Sequence, residues 1–409
     1  MTPDSIRLGI IGLGARGLRS IGGAVAKAGG PAGVRIAAVH DTHPVRLAEG
    51  VEHLRRLCRA NGLSGEIAAY GTEEALMADP AVDVVVIANP QDQHEASFLN
   101  ACASGKPIYC EKPLSASPES CAMMRRAWEL YRPRCMIGLT RRYENVWLKA
   151  AELTATGVIG TAQLMLLRSV IPYSRYFGGW WRQRSRSGDL LNEKSSHHFD
   201  VLNWMSGSTP RSVYALGGRN VFLPRAGYPD RCSDCRRECA YRRPERGRQD
   251  YTDTFQMTYP DDPGNRLVRD LCVYSEEADI LDHAIVSLDY ASGLKASLFF
   301  SVFGADVDDQ ETLEIVGDSG RILLTRQTGT LDVISRNGRE RATYDCRGPY
   351  ADESHFGADR NLIGQLGAFG RGADPAAGFI DAYRASMIAF NAQESIRDGG
   401  ERDLTTAAE

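Results

Sequence analysis

No stretch of this chain reaches the roughly 18 consecutive apolar residues that a membrane-spanning helix requires. The first apolar run begins within a few residues of Met1, which leaves no room for a leader with a charged start, an apolar middle and a cleavage site. A large excess of charge of either sign is lacking as well. The formal net charge is -4 and the isoelectric point lies near 6.1, so no general attraction to nucleic acid or to an anionic membrane is expected. The ten cysteines are scattered rather than framed; without a leader, that points to a reducing cytosol and argues against disulfides. Internal repeats are lacking, and Gly, Pro and charged contents fall in the globular range. What remains is a cytoplasmic, globular chain of 409 residues, too long for one ordinary core and suited to two domains, with small molecules as its default partners.

The first third alternates strand-like and helix-like patterns. Ile6 to Ile11 reads as a buried strand, and Ala15 to Ala28 repeats apolar positions at helical spacing until Gly29-Gly30 stops it. Val34 to His40, Ala68 to Tyr70, Asp83 to Ala88, Pro107 to Cys110 and Cys135 to Leu139 read as further strands, each separated by a helical segment. This alternation predicts an α/β domain over residues 1–140: a doubly wound parallel sheet with helices on both faces and right-handed crossovers.

The pattern then changes. After a helix near Glu144 to Thr156, long strand-like runs appear at Ala162 to Ile171, Arg211 to Leu216, His283 to Tyr290, Leu294 to Phe303, Thr312 to Val316, Arg321 to Thr325 and Thr330 to Ser335. Hairpin signals such as Ala291-Ser292-Gly293 join several of them. Residues 141–409 are therefore expected to form an α+β domain with a large, mostly antiparallel sheet. Helices around Asp359 to Phe369 and over 378–398 carry apolar stripes that suit either that sheet or the first domain. Residues 223–275 form an arginine-rich, cysteine-bearing insertion of weak periodicity.

Chemistry concentrates in four places. The first is Gly12-Leu13-Gly14-Ala15-Arg16-Gly17, between the first strand and its helix. Gly12 permits a tight turn, Gly14 lets the backbone approach a pyrophosphate, and Gly17 lets helix and strand pack closely, with the phosphate at the helix's positive end. Asp41, about two dozen residues on at a strand end, is placed to accept hydrogen bonds from an adenosine ribose. A glycine turn alone is a weak signal, but strand, turn, helix and acid together predict a Rossmann-type cofactor site. The acid favours NAD over NADP, a preference tempered by the nearby His43 and Arg46. Asn89-Pro90 and His94 lie at the same sheet edge and suit the nicotinamide half of the site; His94 reads equally as a helix-start residue bonded to a local carbonyl.

The second place is Glu111-Lys112-Pro113, directly after a buried strand. A lysine before proline is often a solvated loop charge, yet the carboxyl end of such a sheet is where ligands bind, and Glu111 suits pairing with Lys112 or with the cofactor. The third is Glu193-Lys194-Ser195-Ser196-His197-His198-Phe199-Asp200. A helix beginning near Glu193 would set Glu193, His197 and Asp200 on one face, so two acids would orient one imidazole as a base. Glu193 and His197 as zinc ligands rank lower, since no third ligand stands nearby. The fourth is Cys232-x-x-Cys235-x-x-x-Cys239, with Cys272 as a fourth thiolate. That spacing favours a structural zinc, then an iron-sulfur cluster, against free surface thiols. The eight arginines between Arg225 and Arg248 are interleaved with acids and read as a solvated or subunit-contacting face.

Taken together, Gly12-x-Gly14-x-x-Gly17, Gly105-Lys106-Pro107 leading to Glu111-Lys112-Pro113, Thr140-Arg141-Arg142-Tyr143, His197-x-x-Asp200 and the closing helix from Asp381 to Gly399 resemble the Gfo/Idh/MocA family of oxidoreductases over nearly the whole chain. The resemblance implies that Lys112 and His197 flank a substrate hydroxyl, with Glu193 standing where the family usually has an aspartate and Ser195 where it usually has glycine. It implies a cofactor set of Gly12, Gly14, Ala15, Arg16, Gly17, Asp41, Asn89, Pro90, His94, Glu111, Lys112 and Arg142. The expected activity is NAD-dependent oxidation of a secondary hydroxyl of a sugar, cyclitol or glycoside, in a homo-oligomer, dimer or tetramer. Two readings compete with it: glycoside cleavage through transient oxidation and elimination, and a non-catalytic NAD-binding regulator.

Overall fold

The structure, a computed structural model, describes residues 5–172, 174–177, 179–242, 271–304 and 310–405. The chain divides into two compact units: Met1–Glu144 joins Pro349–Tyr383 in the first, while most of the intervening chain and Arg384–Glu409 make the second.

In the first unit, β1 (Ile6–Ile11) leads through a π-helical segment, Ala15–Gly22, into α1 (Gly23–Ala32). There follow β2 (Val34–His40), α2 (Pro44–Ala60), β3 (Ala68–Tyr70), α3 (Glu73–Ala78), β4 (Val84–Ile87), α4 (His94–Ser104), β5 (Ile108–Cys110), α5 (Pro118–Tyr131) and β6 (Cys135–Ile137). The strands pair in parallel in the order β3-β2-β1-β4-β5-β6. Val84, Val85, Val86 and Ile87 are all fully buried, as expected of a central parallel strand covered on both faces.

The first helix does not stop at Gly29-Gly30. It continues to Ala32 and ends at Gly33, whose φ of 63° is the left-handed conformation that glycine adopts without strain. The missing side chain at Gly29 serves packing instead, since a Cβ there would lie 2.5 Å from the Val34 carbonyl oxygen.

The second unit opens with α6 (Asn145–Ala155) and β7 (Ala162–Val170), then two short helices, α7 (Asp189–Glu193) and α8 (Ser196–Ser206). Its sheet continues with β8 (Pro210–Gly218), β9 (His283–Tyr290), β10 (Lys295–Ser301), β11 (Gln310–Gly317), β12 (Arg321–Thr325), β13 (Thr330–Ser335) and β14 (Glu340–Asp345). The chain closes with α9 (Ala358–Gly370), α10 (Phe379–Asp398) and the two-residue β15 (Arg402–Asp403). The nine strands run β14-β13-β12-β11-β7-β10-β9-β8-β15, antiparallel apart from the parallel β7–β10 pair. One face of this sheet is a core built on Leu167, Leu298, Val286, Ile315 and Trp147, all fully buried.

Of the two stripes that suited either domain, that of α9 belongs to the first unit. Its Leu362, Ile363, Leu366 and Phe369 join the core of Leu8, Ile10 and Val25. Contact with α1 is close: a Cβ on Gly367 would meet the Ala32 carbonyl oxygen at 2.5 Å. Most of the arginine-rich insertion, residues 243–270, lies outside the described residues. No helix among the described residues is long and apolar enough to cross a membrane.

Candidate functional site

Four strand ends of the first unit gather the predicted cofactor residues. Hydrogen bonds carry the register past the strands: Gly12 N–H donates to His40 O (2.9 Å), Ala88 N–H to Ile11 O (2.9 Å) and Glu111 N–H to Ile87 O (2.9 Å). The carboxyl ends of β2, β1, β4 and β5 therefore bring Asp41, the glycine turn, Asn89 and Lys112 to one edge. Lys112 is half-buried there.

The three glycines do different work. At Gly12, with φ of 90°, a Cβ would sit 2.6 Å from Asn89 N; at Gly17 it would sit 1.9 Å from Gly12 O. Both are closed by the protein's own backbone. At Gly14 a Cβ would meet nothing within 4 Å, and Gly14 and Ala15 are exposed at the start of the helical segment. The open face, beside backbone N–H groups of a helix start, fits an approaching pyrophosphate. Asp41 closes this turn from the side: its Oδ2 accepts from Leu13 N–H (2.9 Å), its Oδ1 from His43 N–H (2.9 Å), and Arg46 stands 3.5 Å away. The carboxylate is thus fixed at the turn, and its remaining lone pairs suit ribose hydroxyls.

Arg16 and Glu111 serve a network that local spacing did not reveal. Arg16 Nη2 donates to Glu111 Oε1 (2.7 Å), and Tyr109 O–H donates to the same oxygen (2.8 Å). Arg16 Nη1 donates to Asp359 Oδ1 (3.2 Å), whose Oδ2 lies 3.0 Å from His355 Nδ1. Burial alone would raise the Asp359 carboxyl, but Arg16 and His355 together hold it well below the usual carboxylate range. Glu111, 3% exposed, therefore braces the turn that carries Lys112, and Arg16 ties the glycine turn to it.

Of the two meanings open for His94, its position supports the local one. The ring is 1% exposed, with Nε2 2.9 Å from Asn89 O and Nδ1 2.9 Å from Pro113 O. Set between two loops, the neutral ring has one N–H, which can donate to either Asn89 O or Pro113 O. Burial lowers its affinity for a proton, outweighing these carbonyls. Asn89 donates to Ser97 Oγ at 2.8 Å. Arg142 is also engaged within the unit, donating to Ala376 O (2.6 Å) and pairing with Asp381 (3.0 Å).

In the second unit, the single helix expected from Glu193 is broken. Glu193 ends α7, Lys194 and Ser195 form a turn, and His197 and Asp200 lie on α8. Lys194 and Ser195 N–H groups both donate to Leu190 O, at 2.9 and 3.2 Å, and His197 N–H donates to Lys194 O at 3.3 Å. No single helix therefore runs from Glu193 to His197, while His197 and Asp200 share one helical face of α8 at i, i+3. All of Glu193, Lys194, His197 and Asp200 are buried. Lys194 Nζ lies 2.9 Å from Oε1 of Glu311, a fully buried residue of β11 that no local pattern indicated.

Neither metal reading finds support among the described residues. Among the described residues, no three or more His, Cys, Asp or Glu side chains are grouped to hold an ion. Cys232, Cys235, Cys239 and Cys272 do line one small pocket, but they share it with Tyr228, Tyr241 and Tyr274. Rings hold this segment: Arg225 lies 3.8 Å over Tyr274, and Tyr228 and Phe222 pack edge-on against Tyr274 and Tyr241, at 5.2 and 5.0 Å. A segment that looked too poor in core to stand without zinc has an aromatic one. All ten cysteines are free of disulfides.

Comparison with known proteins agrees with this geometry. The chain is 27% identical over 256 residues to the putative oxidoreductase YteT of Bacillus subtilis, covering 59% of each chain. It is 30% identical over 224 residues to an inositol 2-dehydrogenase of Corynebacterium glutamicum, covering 54% of this chain and 60% of that one. The chain thus spans under two thirds of the length of these relatives. Its fold matches levoglucosan dehydrogenase in complex with NADH and levoglucosan, at a TM-score of 0.73 and 18% identity, over 98% of this chain and 100% of that one. Residues 6–139 match the family model described as "Oxidoreductase family, NAD-binding Rossmann fold", and residues 147–323 match the GFO/IDH/MocA C-terminal domain. With both halves matched, the chain belongs to the GFO/IDH/MocA family of oxidoreductases.

Proposed function

We propose that this protein is an NAD-dependent dehydrogenase that oxidises a secondary hydroxyl of a sugar, cyclitol or glycoside to a ketone. The observation that carries the reading is the convergence of the open Gly14 face, Asp41 and Lys112 at one sheet edge. Relatives named inositol 2-dehydrogenase and a fold neighbour holding NADH and levoglucosan support the substrate class. Gly12, Gly14, Gly17 and Asp41 would hold NAD, which when bound supplies a hydride acceptor. Lys112 donates a hydrogen bond to the reacting hydroxyl oxygen and stabilises alkoxide charge as it develops. His197 takes the hydroxyl proton, and Asp200, on the same helical face, orients its ring.

The test is a panel of inositols, sugars and glycosides incubated with NAD while NADH absorbance and products are both recorded. Stoichiometric NADH and a ketone are expected. Lys112→Met and His197→Asn should each lower turnover by about 100-fold or more while NAD titrates as in the parent. Near-parental turnover in either variant removes that residue's role. Aglycone release without net NADH would instead establish the cleavage route.

We further infer that the protein self-associates through the outer face of its second sheet. Leu216, Ile285 and Phe299 stand in register on β8, β9 and β10 and are 60%, 49% and 42% exposed. Leu166 and Leu323 align with Glu314 on the neighbouring row and are 49% and 41% exposed. Scattered surface leucines need no explanation, but aligned rows on one sheet face form a patch that a second copy would cover. Sedimentation of Ile285→Lys should show monomers where the parent shows an oligomer; a monomeric parent defeats the inference.

A further inference from the structure

The second unit carries a buried ionic cluster to which the proposed chemistry gives no role. Glu311 is fully buried on β11. Its Oε1 lies 2.9 Å from Lys194 Nζ and 3.5 Å from His198 Nε2, and its Oε2 lies 3.7 Å from Arg326 Nε. Lys194, His198 and Arg326 are each no more than 4% exposed. Withdrawing such charges from water costs several kcal/mol per ion, and well-packed apolar residues in their place are often at least as stable. Stability is therefore a poor reason for the cluster. The better attested use of such groups is to fix register.

What it fixes is visible in the backbone. Ser195, the residue before α8, makes no side-chain capping bond. The helix start depends instead on the turn ahead of it, where Lys194 O accepts from His197 N–H (3.3 Å) and Ser195 O accepts from Phe199 N–H (2.9 Å). Ser195 Oγ lies 3.2 Å from His198 Nδ1. Glu311 thus reaches the residue whose carbonyl receives the His197 N–H, and it also reaches the residue that follows His197. The catalytic candidate is bracketed on both sides by one carboxylate.

We propose that Glu311 and Lys194 are positioning residues for His197, their ion pair setting where α8 begins and hence where the His197 ring is held. The functional consequence rests on the reading of His197 as the base; the structural one does not. Misplacing a catalytic group by about 1 Å can cost on the order of 100-fold in rate.

Two measurements on the full-length protein test this. The first is histidine ¹³Cε1 NMR with the His197 signal assigned by its loss in His197→Asn. In Glu311→Gln and Lys194→Met that signal should shift or split while the His94 signal, from the other unit, stays in place. An unmoved His197 signal in both folded variants overturns the proposal. The second is turnover of whichever polyol in the panel the parent oxidises. Each single variant should lose roughly 10- to 100-fold in kcat with less than about a twofold change in NAD affinity, and Glu311→Gln should cost nothing further in a His197→Asn background. The double variant Lys194→Met/Glu311→Met guards against misfolding, because Lys194 and Glu311 are removed together, while Arg326 loses Glu311 in it just as it does in a Glu311 single variant. Its Tm should lie above that of either single variant while kcat stays low. Recovery of kcat along with Tm would show that the pair only supports the fold, and so overturn the proposal. If His197→Asn keeps its turnover, the reading of His197 fails, yet the NMR result still decides whether Glu311 and Lys194 place the ring.

Discussion

Arg16 donates to Glu111 at 2.7 Å, which ties the glycine turn to the residue before Lys112. Glu111 is 3% exposed, so losing its cation leaves a buried carboxylate that keeps the Tyr109 O–H donating to the same oxygen. Breaking a buried pair from one side costs about 3–5 kcal/mol. Arg16 keeps some solvent exposure, so Arg16→Ala should fall at the low end, lowering Tm by roughly 6–12 °C. Glu111→Gln should cost less, because Arg16 retains Asp359. Differential scanning calorimetry of both variants decides the order; a larger loss in Glu111→Gln would contradict this account of the network.

Substitutions along the glycine turn should separate folding from cofactor binding. Gly14→Ala meets nothing within 4 Å, so its Tm should stay within about 2 °C of the parent's, a surface-sized effect. Its affinity for NAD should fall about tenfold or more, because the added methyl occupies the face a pyrophosphate would approach. Gly12→Ala places a methyl 2.6 Å from Asn89 N at a φ of 90° and should lose several kcal/mol of stability before any cofactor is added. Calorimetry with and without NAD, together with NAD titration, checks both. Equal NAD affinity in Gly14→Ala and the parent would show that the open face is not the phosphate site.

These two cases also show what could be read from the chain itself. Gly12, Gly14, Gly17 and Asp41 obey rules of local spacing, so strand, turn, helix and acid were legible together. The polar strand Glu340–Asp345 was not, because an edge strand with five of its six residues exposed has no apolar alternation to detect. The break after Glu193 was hidden for another reason. Glu, Lys and Ser are ordinary helix residues, and what holds the turn includes Glu311, on a strand far along the chain. Arg16 finds Asp359 across a longer separation still. Asp359 sits on α9, whose apolar stripe suited either domain and so did not say which site its first turn would reach.

His94 should make the first unit sensitive to mild acid. Its burial holds the folded-state pKa below the ordinary histidine value. Between that lowered value and about 6.5, the unfolded chain binds a proton that the folded protein does not, so stability falls as pH drops from about 7 toward 5. One such group contributes a slope of at most about 1.4 kcal/mol per pH unit. His94→Gln keeps a donor for Asn89 O or Pro113 O and removes the titration. Its Tm should vary less than the parent's between pH 5 and 7; parallel curves would assign the acid sensitivity elsewhere.

Asp189 presents the opposite case, a carboxylate whose removal should strengthen the fold. It is 4% exposed, and burial pushes its carboxyl up to about 6 even though Leu190 and Leu281 N–H groups both donate to Oδ1. For an acid raised in this way, the folded state is penalised as pH climbs from about 4 through 6, and the penalty persists above that. Raising a carboxyl from its ordinary value to about 6 corresponds to roughly 2–3 kcal/mol. Asp189→Asn abolishes the charge and keeps an oxygen to accept both N–H bonds. The backbone favours the change too, since residue 189 has φ of 73°, a conformation that asparagine tolerates well among non-glycine residues. The variant should therefore melt several degrees higher than the parent at pH 7.5, with the gain shrinking toward pH 4. A lower Tm at pH 7.5 would mean that the carboxylate is compensated by charges such as Arg184, which counts among the groups opposing the upward shift.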